Sequence, residues 1–528
     1  MKEILLEMGL DEADDEASVA RALARKLGTS VADLPACHLV KRAIDARRHR
    51  VRFQLVFELG EPEQPPEALG GAQPREVDHQ YEVVIVGGGP AGLFCAYELA
   101  RRGIGATVID RGKLVQPRRR DLKGLTRHGR VDPDSNYCFG EGGAGTYSDG
   151  KLYTRAHKRG NVRDVLELLA THGAPRRILT DARPHIGSNI LPKVVTALRE
   201  HLEQVGVRFV FEDRVTNIVT VGHGSERRVA GVELMSGRSL PAQQLVLATG
   251  HSARDIYELL ARLEVLLVPK AFALGVRIEH PQPAINQIQY GKYAGHPKLP
   301  SASYRLAATV DGRGVFSFCM CPGGFIVPAA TEVDGLVVNG MSLSRRDSPF
   351  ANSGLVVAVE PEDWEKLGFG GVLGGIEFQR ALERSALVAG GGDLRAPSTR
   401  VTDFLGKKGS TDVPKSSYVP GVTASNIRDV LDITGLPLSS RIEGALREFE
   451  RTMRGYVTSA AQLVGVESRT SSPVRIPRDP GTLQSPTVVG LYPSGEGAGY
   501  AGGIMSAAVD GIQIARAVEQ SALGKVAC

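Results

Sequence analysis

The chain has 528 residues, 42% of them apolar and 23% charged, the composition of a globular protein with two or three domains rather than a disordered one. A net charge of +5 is too small for this length to argue nucleic-acid binding by itself, and nucleic acid is not an expected partner. No apolar run reaches the roughly eighteen residues of a membrane span, the first residues are acidic rather than signal-like, and six cysteines lack a disulfide-dense pattern. The expected location is therefore the cytoplasm, away from membranes.

Residues 1–60 read as a small α+β unit. Val19, Leu23 and Leu27 have helical spacing over 16–27, and residues 50–58 (RVRFQLVFE) alternate as a strand does. A Pro/Gly/Glu-rich linker occupies 61–79. Residues 81–86 (YEVVIV) then form a β-branched run that stops at Gly87-Gly-Gly-Pro-Ala-Gly92, and residues 93–100 (LFCAYELA) read as a helix. This is the strand–turn–helix that receives a dinucleotide pyrophosphate, in which Gly87 makes the turn, Gly89 admits the phosphates and Gly92 lets helix and strand pack. A second strand, 106–109, leads to Asp110, an acid at the distance from the glycines that a ribose hydroxyl pair requires.

Beyond Asp110 the alternation breaks. A basic stretch over 118–130 reads as a solvated loop, or as a grip for an acidic partner or for the 2′-phosphate of NADPH. Residues 207–211, 229–234 and 244–250 read as a β-meander ending in the turn Ala248-Thr-Gly250. Residues 265–465 are mixed, with several strand candidates. A buried strand over 488–492, the turn with Gly495, Glu496, Gly502 and Gly503, and an apolar helix from Ile504 close the chain. A long cofactor such as FAD needs a second phosphate or ribityl contact and a helix start beside its ring. This last element supplies both, with Glu496 facing a ribityl hydroxyl. No second GxGxxG follows, so the expected exchange partner of the flavin is O₂, a protein, or NAD(P)H as a transient electron donor or acceptor bound without its own Rossmann domain.

Several long motifs carry a family resemblance: GGGPAGL (87–93), FGEGGAGTYSDGKL (139–152), PHIGSN (184–189), ATGHSARD (248–255), FALGVRIEH (272–280), FCMCPGG (318–324), ESRTSSPVRI (467–476) and YPSGEGAGYAGGIMSAAVDGI (492–512). The chain resembles the uncharacterised bacterial FAD-dependent dehydrogenases among the glutathione-reductase-like flavoproteins. The resemblance implies an α/β class: a glutathione-reductase-like FAD-binding Rossmann fold, a mixed α+β substrate domain and a small N-terminal α+β domain. It implies a discontinuous FAD domain over 80–265 and 466–528, and a substrate or cap domain over 266–465. It also implies that Gly142, Gly143 and Ser148 line the pyrophosphate and flavin edge, that the backbone of Val215 touches adenine, and that Pro90, Ala91, Arg111, Thr249 and Gly250 join the cofactor site. The region that carries a redox cysteine pair in glutathione reductase relatives holds only Cys138 here.

The chemistry-bearing candidates each have two readings. Cys321, with Cys319 two residues before it, is a thiol near the substrate or a small apolar residue of a buried strand. Lys151 stabilises anionic reduced flavin or pairs in a loop with Asp149. His251 and His185 are acid/base groups or orienters of the backbone. Arg277, with Glu279 on the same strand face, grips a substrate or forms a structural pair. No metal is expected. The expected activity is hydride transfer between a small-molecule substrate and flavin N5. The alternatives are a flavin monooxygenase and a tRNA-modifying flavoprotein, and the N-terminal unit offers a surface for a protein partner.

Overall fold

The computed structural model describes residues 3–47, 50–60, 73–154 and 160–524. The predicted linker over 61–79 lies outside the described residues for 61–72. Among the described residues no helix is long and apolar enough to cross a membrane.

The first unit is a three-stranded antiparallel sheet with Arg52–Leu59 between Glu3–Met8 and Cys37–Asp45, covered by the helix Glu16–Leu27. Alternation in both outer and central strands turns Ile4, Leu6, Met8, Phe53, Leu55 and Phe57 inward against Leu23. Asp15 caps the helix by accepting from the Ser18 amide at 2.9 Å, and Gly28 ends it in the left-handed region at φ 72°. The unit is docked on the rest of the chain. Its core packs against Tyr290, Tyr293 and Leu299, and Arg42 exchanges backbone hydrogen bonds with Thr180 and Ala182.

A five-stranded parallel sheet follows in the order Leu491–Pro493, Gln244–Leu247, Asp78–Val86, Ile104–Ile109, Arg208–Val210. Its strands read as near-continuous apolar runs because helices cover it. Pro90–Arg101 and Ile504–Gly524 pack so closely that a Cβ on Gly511 would stand 2.1 Å from the Ala91 carbonyl oxygen. The expected meander over 207–250 is corrected here. Residues 208–210 and 244–247 belong to the parallel sheet, and only Val215–Val221, Arg228–Leu234 and Ser239–Pro241 form the antiparallel meander. The reason is the helix Leu191–Gln204, a crossover that delivers the 208–210 strand alongside Ile104–Ile109.

The basic stretch is corrected as well. Residues Val115–His128 are a helix, not a loop. Arg118 on it is fully buried and donates to the carbonyl oxygens of Asn136, Tyr137, Glu141 and Gly143 at 2.8–3.1 Å. It pins the glycine-rich loop 136–145 from beneath and is unavailable to a partner, whereas Arg119, Arg120 and Arg127 are exposed.

The remaining large layer is a seven-stranded, mostly antiparallel sheet. Its order is Ala307–Val310, Arg313–Cys321, Phe350–Val359, Phe272–Pro281, Gln462–Glu467, Ala396–Arg400, Val422–Ala424. The helices Gly374–Gly390 and Leu438–Thr452 supply Phe378, Leu382, Leu446 and Phe449 to its buried surroundings. The hairpin Gly324–Pro328 with Val338–Ser342 projects from it toward the 140–151 loop, where Ser342 meets Asp149 and Ser188.

Candidate functional site

Four loops converge at the carboxyl ends of the parallel strands, the place where open α/β sheets bind ligands. Gly87 sits at φ 109°, with no room for a Cβ beside the Ala248 carbonyl oxygen at 2.3 Å. A Cβ on Gly92 would lie 1.9 Å from the Gly87 oxygen, so helix and turn touch backbone to backbone. Gly89 differs. Nothing but the Gly143 Cα, 3.9 Å away, approaches its Cβ position. The helix Pro90–Arg101 begins there with proline in its first turn and no side-chain cap, which leaves the first-turn amides of Ala91 and Gly92 without a capping side chain.

Asp110 closes the groove at one end. It accepts from the amides of Gly88, Gly112 and Gly140, each at 2.9 Å, which leaves about one of its four acceptor positions for a hydroxyl. Gly142 donates to the Gly88 oxygen at 2.9 Å, drawing the two glycine loops together. Val215 starts its strand fully buried. Pro90 and Ile504 meet over Gly145, and Ala91 lies against Gly495. Gly250 packs on Gly497, carrying Thr249 with it, and the space beside Gly502 and Gly503 is open. Ser148 is occupied locally, donating to the Gly145 oxygen and accepting from the Gly150 amide. Arg111 is occupied too. It forks onto Asp255 at 2.8 and 3.0 Å, donates to Asp134 at 2.8 Å and stacks over Phe139, so its guanidinium ties loops together rather than facing the groove.

Glu496 stands out in the fourth loop. It is half-buried, and while its backbone oxygen accepts from the Gly499 amide, its carboxylate has no hydrogen-bond partner among the described residues. Burial lifts its carboxyl to about 7, with Lys270 opposing and the charge of Cys319 adding to the rise. A carboxylate so placed is costly without a donor, and a polyhydroxyl chain supplies donors.

The influence of Cys319 on Glu496 leads to a second cluster. The strand Arg313–Cys321 loses register with its neighbour between Phe318 and Cys321, and Cys319 is forced to φ 44°. The expected alternation of two equivalent strand cysteines is corrected by this bulge: Cys321 is fully buried, while Cys319 is exposed. Lys151 reaches both, its Nζ 3.6 Å from the Cys319 Sγ and 3.7 Å from the Cys321 Sγ. Asp149 lies 3.3 Å from the same ammonium and 2.6 Å from Arg346. The Cys321 thiol donates to the Cys319 carbonyl oxygen at 3.3 Å and, against burial, the neighbouring Cys321 thiol with Lys151 and Arg277 holds the Cys319 thiol well below its ordinary value. Burial would lower Lys151, but the two sulfurs and Asp149 outweigh it, so the ammonium keeps its proton.

Arg277 stands behind the bulge. It is fully buried, donates to Glu467 at 2.8 and 2.9 Å and to Asn352 at 2.8 Å, and holds the Cys319 carbonyl oxygen at 3.0 Å. Its donors are all engaged, so it positions the thiol loop and does not grip a substrate. Glu279 shares its strand face but takes separate partners, Ser417 and Gln462. His251 is apart from the thiols. It contacts Ser252 at 3.0 Å, and burial with Arg469 and Arg254 pushes it down to about 4. His185 bridges to the Lys151 strand segment, contacts the Ser344 oxygen at 3.2 Å and is likewise lowered, by burial and Arg346, to about 4. Both imidazoles are neutral at pH 7. Sequence reasoning paired Asp149 with Lys151, as found, and missed Arg346 and the exposure of Cys319. The SDGK motif names Asp149 beside Lys151, but Arg346 comes from a distant loop and carries no local signal.

Residues 82–133 match the family described as FAD dependent oxidoreductase, residues 271–470 the family described as FAD-dependent protein, C-terminal domain-like, and residues 1–59 a domain family of unknown function. An uncharacterized protein of Clostridium beijerinckii is 40% identical over 522 residues, covering 95% of this chain and 96% of its own length. Among solved structures, a flavoprotein/dehydrogenase from Cytophaga hutchinsonii is 11% identical with TM-score 0.34, covering 84% of this chain and 79% of that one. A glycine oxidase from Geobacillus kaustophilus is 13% identical with TM-score 0.30, covering 84% and 95%.

Proposed function

The chain belongs to a family of FAD-dependent oxidoreductases that it shares with the Clostridium beijerinckii protein, and from that premise we propose that it carries out two-electron, hydride-type exchange between FAD and a small organic substrate. The substrate enters the cleft between the 142–151 loop and the strand Arg313–Cys321. The residues fit the cofactor. Gly87, Gly89, Pro90, Ala91 and Gly92 with Gly142 and Gly143 would hold the pyrophosphate, Asp110 a ribose hydroxyl, and the Val215 backbone the adenine. Thr249, Gly250, Gly495 and Glu496 would hold the ribityl chain, with the open space at Gly502, Gly503 and Ile504 left for the ring end. The observation that carries this reading is the unpartnered carboxylate of Glu496, next to Gly495, which abuts Ala91 of the glycine turn, and within the field of Cys319.

Bound there, FAD supplies the acceptor or donor of the electron pair. The protein's own contribution is charge and shape. Lys151 presents a permanent positive charge to the cleft, which favours electron-rich reduced species and excludes it as a base. Neutral His185 and His251 are not acids at pH 7. Glu496, lifted to about 7, is the group of the groove that changes protonation near neutrality. Arg277 fixes the bulge that exposes Cys319.

Purified protein is expected to carry flavin absorbance or to gain it on incubation with FAD, and to bleach anaerobically with a two-electron donor. Glu496→Gln is expected to weaken FAD retention about tenfold, roughly 1.4 kcal/mol for a charge-assisted hydrogen bond made neutral. Absence of flavin uptake by the wild-type protein overturns the reading.

A further inference from the structure

We propose that Cys319 and Cys321 form a dithiol/disulfide couple that makes the substrate of this cleft a disulfide, with Cys319 as the attacking thiolate and Cys321 as the resolving thiol. The proposal rests on the FAD reading above for its supply of electrons.

Four independent features converge on the pair. The first is exposure: of two cysteines two residues apart, the bulge presents one to the cleft and buries the other. A structural strand cysteine has no need of a left-handed backbone, which is unfavourable for a non-glycine residue. The second is the ammonium of Lys151 at 3.6 and 3.7 Å from the two sulfurs, which draws both sulfurs onto one nitrogen. The third is the local charge balance. Lys151, Arg346 and Arg277 are cations, and Asp149 and Glu467 are the carboxylates paired with them. Cations outnumber carboxylates around the two sulfurs, the more so because burial lifts the Glu467 carboxyl to about 7, and a thiolate offsets that excess. The fourth is the asymmetry within the pair. Buried Cys321 has its thiol proton engaged by the Cys319 carbonyl oxygen at 3.3 Å, and burial with the neighbouring sulfur raises it well above the ordinary value, whereas exposed Cys319 is lowered, so one sulfur is ready to attack and the other keeps its proton until attack has occurred.

The chemistry balances. The Cys319 thiolate attacks one sulfur of a disulfide R–S–S–R′, the S–S bond breaks, and R′S⁻ leaves with the proton released by Cys321. The Cys321 thiolate then attacks the Cys319 sulfur, RS⁻ leaves, and an intramolecular Sγ–Sγ bond remains. Two electrons have passed from the pair to the substrate. Reduced flavin, recharged by a nicotinamide dinucleotide, returns two electrons and one proton, restoring the Cys319 thiolate and the Cys321 thiol. The couple thus lies on the strand Arg313–Cys321, far in sequence from Cys138.

The test uses the full FAD-loaded chain, glutathione disulfide as probe, and peptide mass spectrometry of the segment spanning 313–328. Wild type is expected to lose two hydrogens within that peptide and to accumulate no glutathione adduct. Cys321→Ser is expected to trap a mixed glutathione disulfide on Cys319, and Cys319→Ser to show neither product. NADPH is expected to reopen the wild-type crosslink only when flavin is bound. The proposal is overturned if both cysteines remain free to alkylation after exposure to glutathione disulfide. It is overturned equally if the crosslink forms but reduced flavin leaves it closed. Flavin uptake and bleaching are read in the same samples. If both are normal in wild type and in Cys319→Ser while no crosslink forms, this inference alone fails. If wild type takes up no flavin, the oxidoreductase reading fails first.

Discussion

At the scale of single residues, the site rests on contacts too close to tolerate substitution and on charges too close to act alone. Gly92→Ala would place a methyl group 1.9 Å from the Gly87 oxygen, where neither the turn nor the helix can retreat without opening the sheet behind them. That variant is expected to fold, if it folds, without binding FAD, as read by flavin absorbance after gel filtration. Lys151 supports the low pKa of Cys319, so Lys151→Met is expected to raise it. The sign follows from the acid: a thiol with a depressed pKa ionises at lower pH than a free thiol, and loss of the cation moves its titration upward toward the ordinary value near ~8.5. Alkylation of Cys319 by iodoacetamide at pH 7 should therefore slow about tenfold in the variant, with its pH midpoint displaced upward. An unchanged midpoint would mean that the neighbouring Cys321 thiol alone sets the thiolate.

At the scale of elements, the helix Val115–His128 does more than cover the sheet. Arg118 threads its guanidinium under the glycine-rich loop and holds four carbonyl oxygens of residues 136–143 that no strand or helix pairs. Arg118→Leu removes the arginine donors from all four, leaving Glu141 only its bond from the Thr146 hydroxyl, and a loss of about 3–5 kcal/mol in stability is expected from chemical denaturation, together with weaker FAD retention because Gly142 and Gly143 belong to that loop. Sequence reasoning read this stretch as solvated because an arginine-rich run with only Val115, Leu122 and Leu125 facing inward resembles a surface. The carbonyls that bury Arg118 are assembled only by the fold. The turn at 87–92 was legible because its information is local: strand, glycines and helix adjoin in sequence. The 207–211 strand was assigned to the wrong sheet because parallel pairing with Ile104–Ile109 depends on a crossover helix a hundred residues after its partner. The cysteine pair was legible as a pair, yet the exposed member was the other one, since the bulge that decides it comes from the register of Arg313–Cys321 against Phe350–Val359.

At the scale of the whole molecule, the parallel sheet and the seven-stranded sheet are held together by a buried ionic network centred on Glu383. From the helix Arg254–Arg262, beside the His251 turn, Arg254 donates to both Glu383 oxygens at 2.8 and 2.9 Å. From the segment that returns the chain to the parallel sheet, Arg469 donates to the same two oxygens at 2.9 and 3.1 Å, and Ser468 adds a third donor at 2.6 Å. Glu383 itself stands on the helix Gly374–Gly390 of the other layer. Three separate segments thus meet on one carboxylate, which ties together the two layers that carry the two halves of the site. Glu383→Gln would leave Arg254 and Arg469 only the Glu332 carboxylate, which Arg380 also shares, and a loss of about 3 kcal/mol is expected at pH 7. Burial raises the Glu383 carboxyl, but Arg254 and Arg469 prevail and hold it far below the ordinary carboxylate value. A depressed folded-state pKa means that its stabilisation is complete above the unfolded value of about 4.3 and is lost as the pH falls below it. Wild type should therefore lose melting temperature between pH 5 and pH 3 more steeply than Glu383→Gln, whose amide does not titrate. Equal slopes in the two proteins would assign the acid sensitivity elsewhere, to Asp149 above all, whose carboxyl is held down by Lys151 and Arg346 after burial is overcome.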